Sequence, residues 1–126
     1  MTLKLCREDG VYLPSERVGV RWRLARTECE NIQAVELSVL WRTEGKGDED
    51  VGVCGFWRYC NENGLPWDVD QFIDVETKLP STPLSYHGHL LTITWLARLR
   101  LFQVGGNQVK TEVPFLLSGS RADPGF

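Results

Sequence analysis

Three stretches of this chain alternate apolar and polar residues with a period of two, and that pattern constrains the fold more than any other feature. Val18, Val20, Trp22 and Leu24 alternate with Gly19, Arg21, Arg23 and Ala25. Val35, Leu37, Val39 and Trp41 alternate with Glu36, Ser38, Leu40 and Arg42. Leu91, Ile93, Trp95, Ala97, Leu99 and Leu101 alternate with Thr92, Thr94, Leu96, Arg98 and Arg100. Successive side chains of a strand point to opposite faces, so each stretch turns one apolar face to a core and the other to water. No stretch keeps helical spacing over three turns. The chain is expected to be all-β.

Weaker strands are expected over Thr2–Cys6, Val51–Cys60, Val69–Thr77 and Gln108–Leu117. Turn residues separate them: Glu-Asp-Gly at 8–10, Glu-Gly-Lys-Gly-Asp at 44–48, Asn-Glu-Asn-Gly at 61–64 and Gly-Gly-Asn at 105–107. Seven or more short strands with such turns predict an immunoglobulin-like antiparallel β-sandwich. Leu79–Gly88, with two prolines, reads as an ordered loop crossing between the sheets. A length of 126 residues suits one domain. It is expected over residues 1–117, with 118–126 as a flexible tail. Parity places Trp22, Trp41 and Trp95 in the core and lets only one of Phe56 and Trp57 be buried. Trp67, beside Pro66, reads as a loop ring able to anchor a partner.

A net charge of −3 argues against nucleic acid or an anionic membrane surface as partner. No run approaches the ~18 apolar residues that would span a bilayer, and the N-terminus has no signal-peptide core, so no membrane insertion is expected. A cytoplasmic location follows. There, Cys6, Cys29, Cys54 and Cys60 should be free, buried thiols. Cys54 and Cys60 lie in one predicted strand, roughly 20 Å apart at about 3.3 Å per residue, too far to pair.

Catalytic and metal chemistry find little support. His87 and His89 share a strand face but lack a third ligand. The acidic loop Glu44, Asp48, Glu49 and Asp50 does not match a calcium loop, and Gly45-Lys46-Gly47 lacks the phosphate-loop frame. No nucleophile elbow is present. Asp68 with Asp70, and Asp70 with Asp74, read as solvated strand charges. No cofactor, metal or enzymatic activity is expected.

Ten of the 14 basic residues are arginine. Arg21 and Arg23 point out from one alternating strand, Arg98 and Arg100 from another. If those strands share a sheet, they form a basic stripe suited to carboxylates or phosphates, which the planar guanidinium bonds through two donors. With Trp67, these four are the candidate partner-binding residues. The competing reading pairs them across strands with Glu16, Glu36 or Glu112.

Two segments resemble the arrestin superfamily. Val11-Tyr12-Leu13-Pro14-Ser15-Glu16-Arg17-Val18-Gly19-Val20 is similar to that family's early Y-x-P-G-E-x-V-x-G turn into a strand. Leu79-Pro80-Ser81-Thr82-Pro83-Leu84-Ser85-Tyr86-His87-Gly88, running on through Leu91–Arg100, resembles its loop feeding a long strand. Their order and separation also match, and they touch about a third of the chain. Ser15 stands where the family usually has glycine, only one sandwich is expected against the arrestins' two, and no Pro-Pro-x-Tyr motif occurs. The resemblance implies the sandwich and a bias toward scaffolding.

The resulting expectation is a non-enzymatic protein-binding or scaffold module that uses a sheet face or an edge strand. Its partner would be an unidentified protein or, through the open edges, a second copy. The rival expectation is a small-ligand or carbohydrate-binding sandwich with tryptophans lining a concave face.

Overall fold

In this computed structural model, which describes residues 1–25, 31–47, 49–60 and 71–120, the alternating stretches are the inner strands of two facing sheets. Among the described residues nine strands occur in chain order: β1 (Thr2–Leu5), β2 (Val11–Tyr12), β3 (Arg17–Arg23), β4 (Ile32–Gly45), β5 (Val51–Cys60), β6 (Ile73–Lys78), β7 (Tyr86–His87), β8 (Leu91–Gln103) and β9 (Gln108–Leu117). The small sheet has the order β1-β3-β6. The large sheet has the order β2-β9-β8-β4-β5, with β7 also paired to β8. Among the described residues only β2 and β9 run parallel. No helix occurs among the described residues. The fold is an all-β sandwich of two sheets.

The period-two pattern is the reason for this arrangement. On β3, Val18, Val20 and Trp22 are fully buried, and between them Gly19 and Arg21 turn outward. Facing them, Val35, Leu37 and Val39 of β4 and Trp95, Ala97 and Leu99 of β8 are equally buried. Burying each valine or leucine among them stabilises by about 1.5–3 kcal/mol, and a slip of one residue would expose the whole set. Aromatic contacts join the two layers at Trp22 and brace the large sheet internally at Phe115. The Trp22 ring lies 5.6 Å from Tyr59 of β5, and Phe115 of β9 meets both Tyr12 at 5.4 Å and Trp95 at 5.8 Å.

Several expectations need adjustment. Strand β6 begins at Ile73; Val69 and Asp70 lie outside the described residues. The two-residue strands β2 and β7 were not expected, because two residues carry no periodicity; β7 sits inside the crossing loop Leu79–Gly88. Cys6 is exposed rather than buried: it lies just past β1, opposite Gly19, on the outer side of the small sheet. Cys54 and Cys60 are half-buried free thiols, and Cys29 lies outside the described residues. Leu40 and Leu96 have outward parity yet are only 2% exposed. They are cross-strand neighbours with Pro114 beside them, and Glu112 of β9 binds both Arg98 and Arg42 along a diagonal over that row.

The two segments that carry the arrestin resemblance meet in space. The Leu13–Glu16 turn closes through the Glu16 N–H donating to the Leu13 carbonyl at 3.1 Å. The Glu16 carboxylate accepts from the Leu13 N–H at 2.6 Å. The Glu16 carbonyl accepts from the N–H of buried Leu79 at 2.8 Å, which joins the first segment to the second. Pro14 and Ser15 occupy the middle of the turn, and Ser15 has φ +69°. That is the left-handed region, where a side chain costs roughly 1–2 kcal/mol, and the third position of a type II turn prefers glycine. The glycine usual in the resembling family answers this requirement.

Ser15→Gly should therefore stabilise the protein. Relief of the left-handed strain exceeds glycine's extra backbone entropy, about 0.5–1 kcal/mol, so the melting temperature should rise by roughly 2–5 °C. Calorimetry that finds an unchanged or lower value would show that the serine is not strained.

Candidate functional site

On the outer face of the small sheet, strand register gathers cations. Lys4 of β1 lies opposite Arg21 of β3, and Thr2 lies opposite Arg23. On the other flank Arg21 faces Asp74, Gly19 faces Glu76 and Arg17 faces Lys78. Phe72, the residue before β6, holds the centre of the cluster. Its ring centroid lies 4.6 Å from the Arg23 guanidinium, 5.2 Å from that of Arg21 and 5.7 Å from the Lys4 ammonium. An aromatic face attracts cations through its quadrupole, so the ring holds three like charges together.

The charges in this cluster are unevenly matched. Arg21 grips Asp74 with two parallel bonds, Nε to Oδ1 at 2.7 Å and Nη2 to Oδ2 at 3.1 Å. That hydrogen bond holds the Asp74 carboxyl below its ordinary range and pushes the arginine up. Arg17 reaches Glu76 at 3.4 Å, with both side chains more than half exposed, so the pair contributes little. Among the described residues, Lys4 and Arg23 have no carboxylate partner. Among the described residues, the face carries five cations, Lys4, Arg17, Arg21, Arg23 and Lys78, against two carboxylates, Asp74 and Glu76. It is a positive surface on a chain of net charge −3.

The arginine residues singled out from the sequence are thus split. Arg21 and Arg23 belong to this face. Arg98 and Arg100 lie on β8 of the large sheet, so the two pairs form no common stripe. The alternation was right in each strand, but nothing in it shows which sheet a strand joins. Arg98 is bound to Glu112 at 2.7 Å, and Arg100 lies between Glu36 and Lys110 in the register. Glu36 is bridged by Arg58. Trp67 lies outside the described residues. Lys4 and Phe72 were not anticipated. Phe72 shares parity with Asp74 rather than with Ile73 and Val75, and that was the available signal.

Other surfaces offer less. Trp22 and Trp95 are fully buried, while Trp41 and Trp57 are half-buried and packed against the core. No exposed tryptophan platform for a sugar exists among the described residues. A cleft of about 470 Å³ opens beside β7, lined by Tyr86, His87, Thr92, Pro114 and Leu116. A second, of about 440 Å³, lies at the seam between the sheets, with Trp41, Cys54, Lys78 and Trp95 in its walls. His87 and His89 are exposed, and His87 Nδ1 lies 3.3 Å from the Thr92 hydroxyl. No group of three His, Cys, Asp or Glu residues among those described is placed to hold a metal. Gly45-Lys46-Gly47 is a hairpin turn; a Cβ on Gly45 would strike the Leu90 carbonyl oxygen. No helix among the described residues is long and apolar enough to cross a membrane.

No family model and no curated protein matches the sequence. Among solved structures, the fold is similar to the crystal structure of Spo0M, a sporulation control protein from Bacillus subtilis, with a TM-score of 0.58 and 15% identity. The match covers 94% of this chain and 49% of that one, so the chain spans about half of Spo0M's length. At this identity the likeness concerns the fold alone, an arrestin-like sandwich.

The Arg42–Glu112–Arg98 cluster gives a pH test. Burial pushes the Glu112 carboxyl up, but the hydrogen bond and charge of Arg98, with Arg42 and Lys110 behind, outweigh it and leave the group below its ordinary 4.5. Because the folded value is depressed, the stabilisation is fully present above the unfolded value and disappears as pH falls through the folded one. Glu112→Gln should therefore lower the melting temperature at pH 7 and converge with the parent protein in acid. A constant difference across that range would contradict the assignment.

Proposed function

We propose that this chain is a non-enzymatic protein-binding module that works in the cytoplasm, and that the outer face of its small sheet takes an extended acidic segment of a partner protein. The observation that carries this reading is the convergence of Lys4, Arg21 and Arg23 on the Phe72 ring, with two of the three cations free of carboxylate partners among the described residues. An arrestin-like sandwich is compatible with such a scaffolding role.

The spacing suits a strand-like ligand. Arg21 and Arg23 are two residues apart on one face, about 6.6 Å at 3.3 Å per residue. An extended peptide repeats the same distance between alternate side chains, so Asp or Glu at every second position would meet successive rows. Arg23 and Lys4 supply free donors, and the Phe72 ring offers an apolar floor. Asp74 and Glu76 at the flank would repel a long polyanion while leaving room for a short acidic segment. Attraction between exposed charges is screened by salt, so binding should weaken as ionic strength rises.

Fluorescence anisotropy with a labelled decapeptide that alternates Glu and Ser tests the proposal. Saturable, salt-sensitive binding is expected, with Lys4→Ser and Arg23→Ser each weakening it by about 2- to 5-fold. Lys110→Ser, on the other sheet, should leave it unchanged. Equal affinity for the matching Lys-Ser peptide, or an Arg23→Ser variant that binds as the parent does, would defeat the reading.

A further inference from the structure

The four sheet edges differ in how well they are protected against pairing with another chain. Unpaired N–H and C=O groups on an exposed edge strand are a template for a further strand, and natural edges are kept short or charged to prevent this. Strand β1 has four residues and carries Lys4, and β2 has two residues. Strand β6 turns Asp74, Glu76 and Lys78 outward, all exposed. Strand β5 is different. It runs for ten residues, and its outward row is Val51, Val53 and Phe56, which are 60%, 59% and 53% exposed. Among the described residues β5 pairs only with β4.

We infer that β5 is a self-association edge, and that its occupant is the β5 strand of a second copy of this chain, paired antiparallel about a two-fold axis near Cys54 and Gly55. Self-complementary charge along the strand points to a second copy. Glu49 stands just before the strand and Arg58 near its end, both exposed or half-exposed at the surface. Antiparallel pairing of identical strands brings the acidic start of each against the basic end of the other; parallel pairing would stack like on like.

The register follows from this axis. Val53 lies opposite Phe56 of the second copy, and Val51 opposite Arg58, each contact occurring twice. Cross-strand aromatic–aliphatic pairs of this kind are a main stabilising unit of sheets. Glu49 is then the diagonal neighbour of Arg58 on the second copy, within reach of two long side chains. Arg58 already bridges Glu36 through one terminal nitrogen, but a guanidinium has five N–H donors, so others remain.

The irregularity in β5 agrees with this geometry. The register against β4 shifts where Val39 pairs with Gly55 and Leu40 with Val53, which leaves Cys54 as an extra residue. Its thiol donates to the Lys78 carbonyl at 3.2 Å, so it turns toward the small sheet. The three strand residues before it and those after it can each form a short ladder with the second copy.

Sedimentation velocity over the micromolar range tests the inference with the full chain. A concentration-dependent dimer is expected. Val53→Lys, Glu49→Lys and Arg58→Glu should each weaken it by at least about tenfold, or about 1.4 kcal/mol. An equimolar mixture of the Glu49→Lys and Arg58→Glu chains should restore a dimer, since both interchain pairs are again opposite in sign, and native mass spectrometry should show it to be the mixed species. Arg58→Glu meets Glu36, so if its melting temperature falls, the outward-facing Val53→Lys variant carries the test alone. A parent protein that stays monomeric, or a Val53→Lys variant that dimerises equally well, overturns the proposal.

Discussion

The structure depends on one constraint: the apolar parity of β3 must face that of β4 and β8. Val18, Val20 and Trp22 enter the space between the sheets, where they are fully buried with Leu37, Val39, Trp95 and Leu99. The backbone then leaves Arg21 and Arg23 no choice but the opposite face. The cationic surface is thus fixed by the same residues that make the core. Because the small sheet has only three strands, that outer face is narrow and β1, β3 and β6 decide its charge. A substitution that rotated β3 by one residue would turn the three guanidiniums of Arg17, Arg21 and Arg23 inward and expose a tryptophan, a cost far above that of any surface ion pair.

The two outer faces use arginine in different ways. On the large sheet Arg42 and Arg98 converge on Glu112, at 3.5 and 2.7 Å. Their charge is spent within the chain. On the small sheet only Arg21 has a close two-pronged partner, while Arg23 and Lys4 lean on the Phe72 ring. A ring holds a cation without neutralising it, so the field of these two side chains remains directed at solvent.

The strands were legible in the sequence because each core residue had to obey a period of two, and Trp22, Leu37 and Leu99 do so without exception. The turn at Pro14–Ser15 was legible through its resemblance to a known pattern, although serine stands in the left-handed position. Sheet membership was not legible. Arg21 and Arg98 sit on equally regular strands, and only long-range pairing separates them into different layers. Leu40 and Leu96 also escaped the pattern, since they are buried on the parity that points away from the core cluster. Lys4 and Phe72 belong to the site through cross-strand proximity, which local spacing does not encode.

Nuclear Overhauser contacts around adjacent residues Trp22 and Arg23 test the central constraint most directly. The account predicts contacts from the Trp22 indole to the Tyr59 ring across the interior, and from Arg23 to Phe72 on the outside. Arg23 in contact with side chains of β4 or β8, or Trp22 in contact with Lys4, would reverse the parity of β3 and contradict the account.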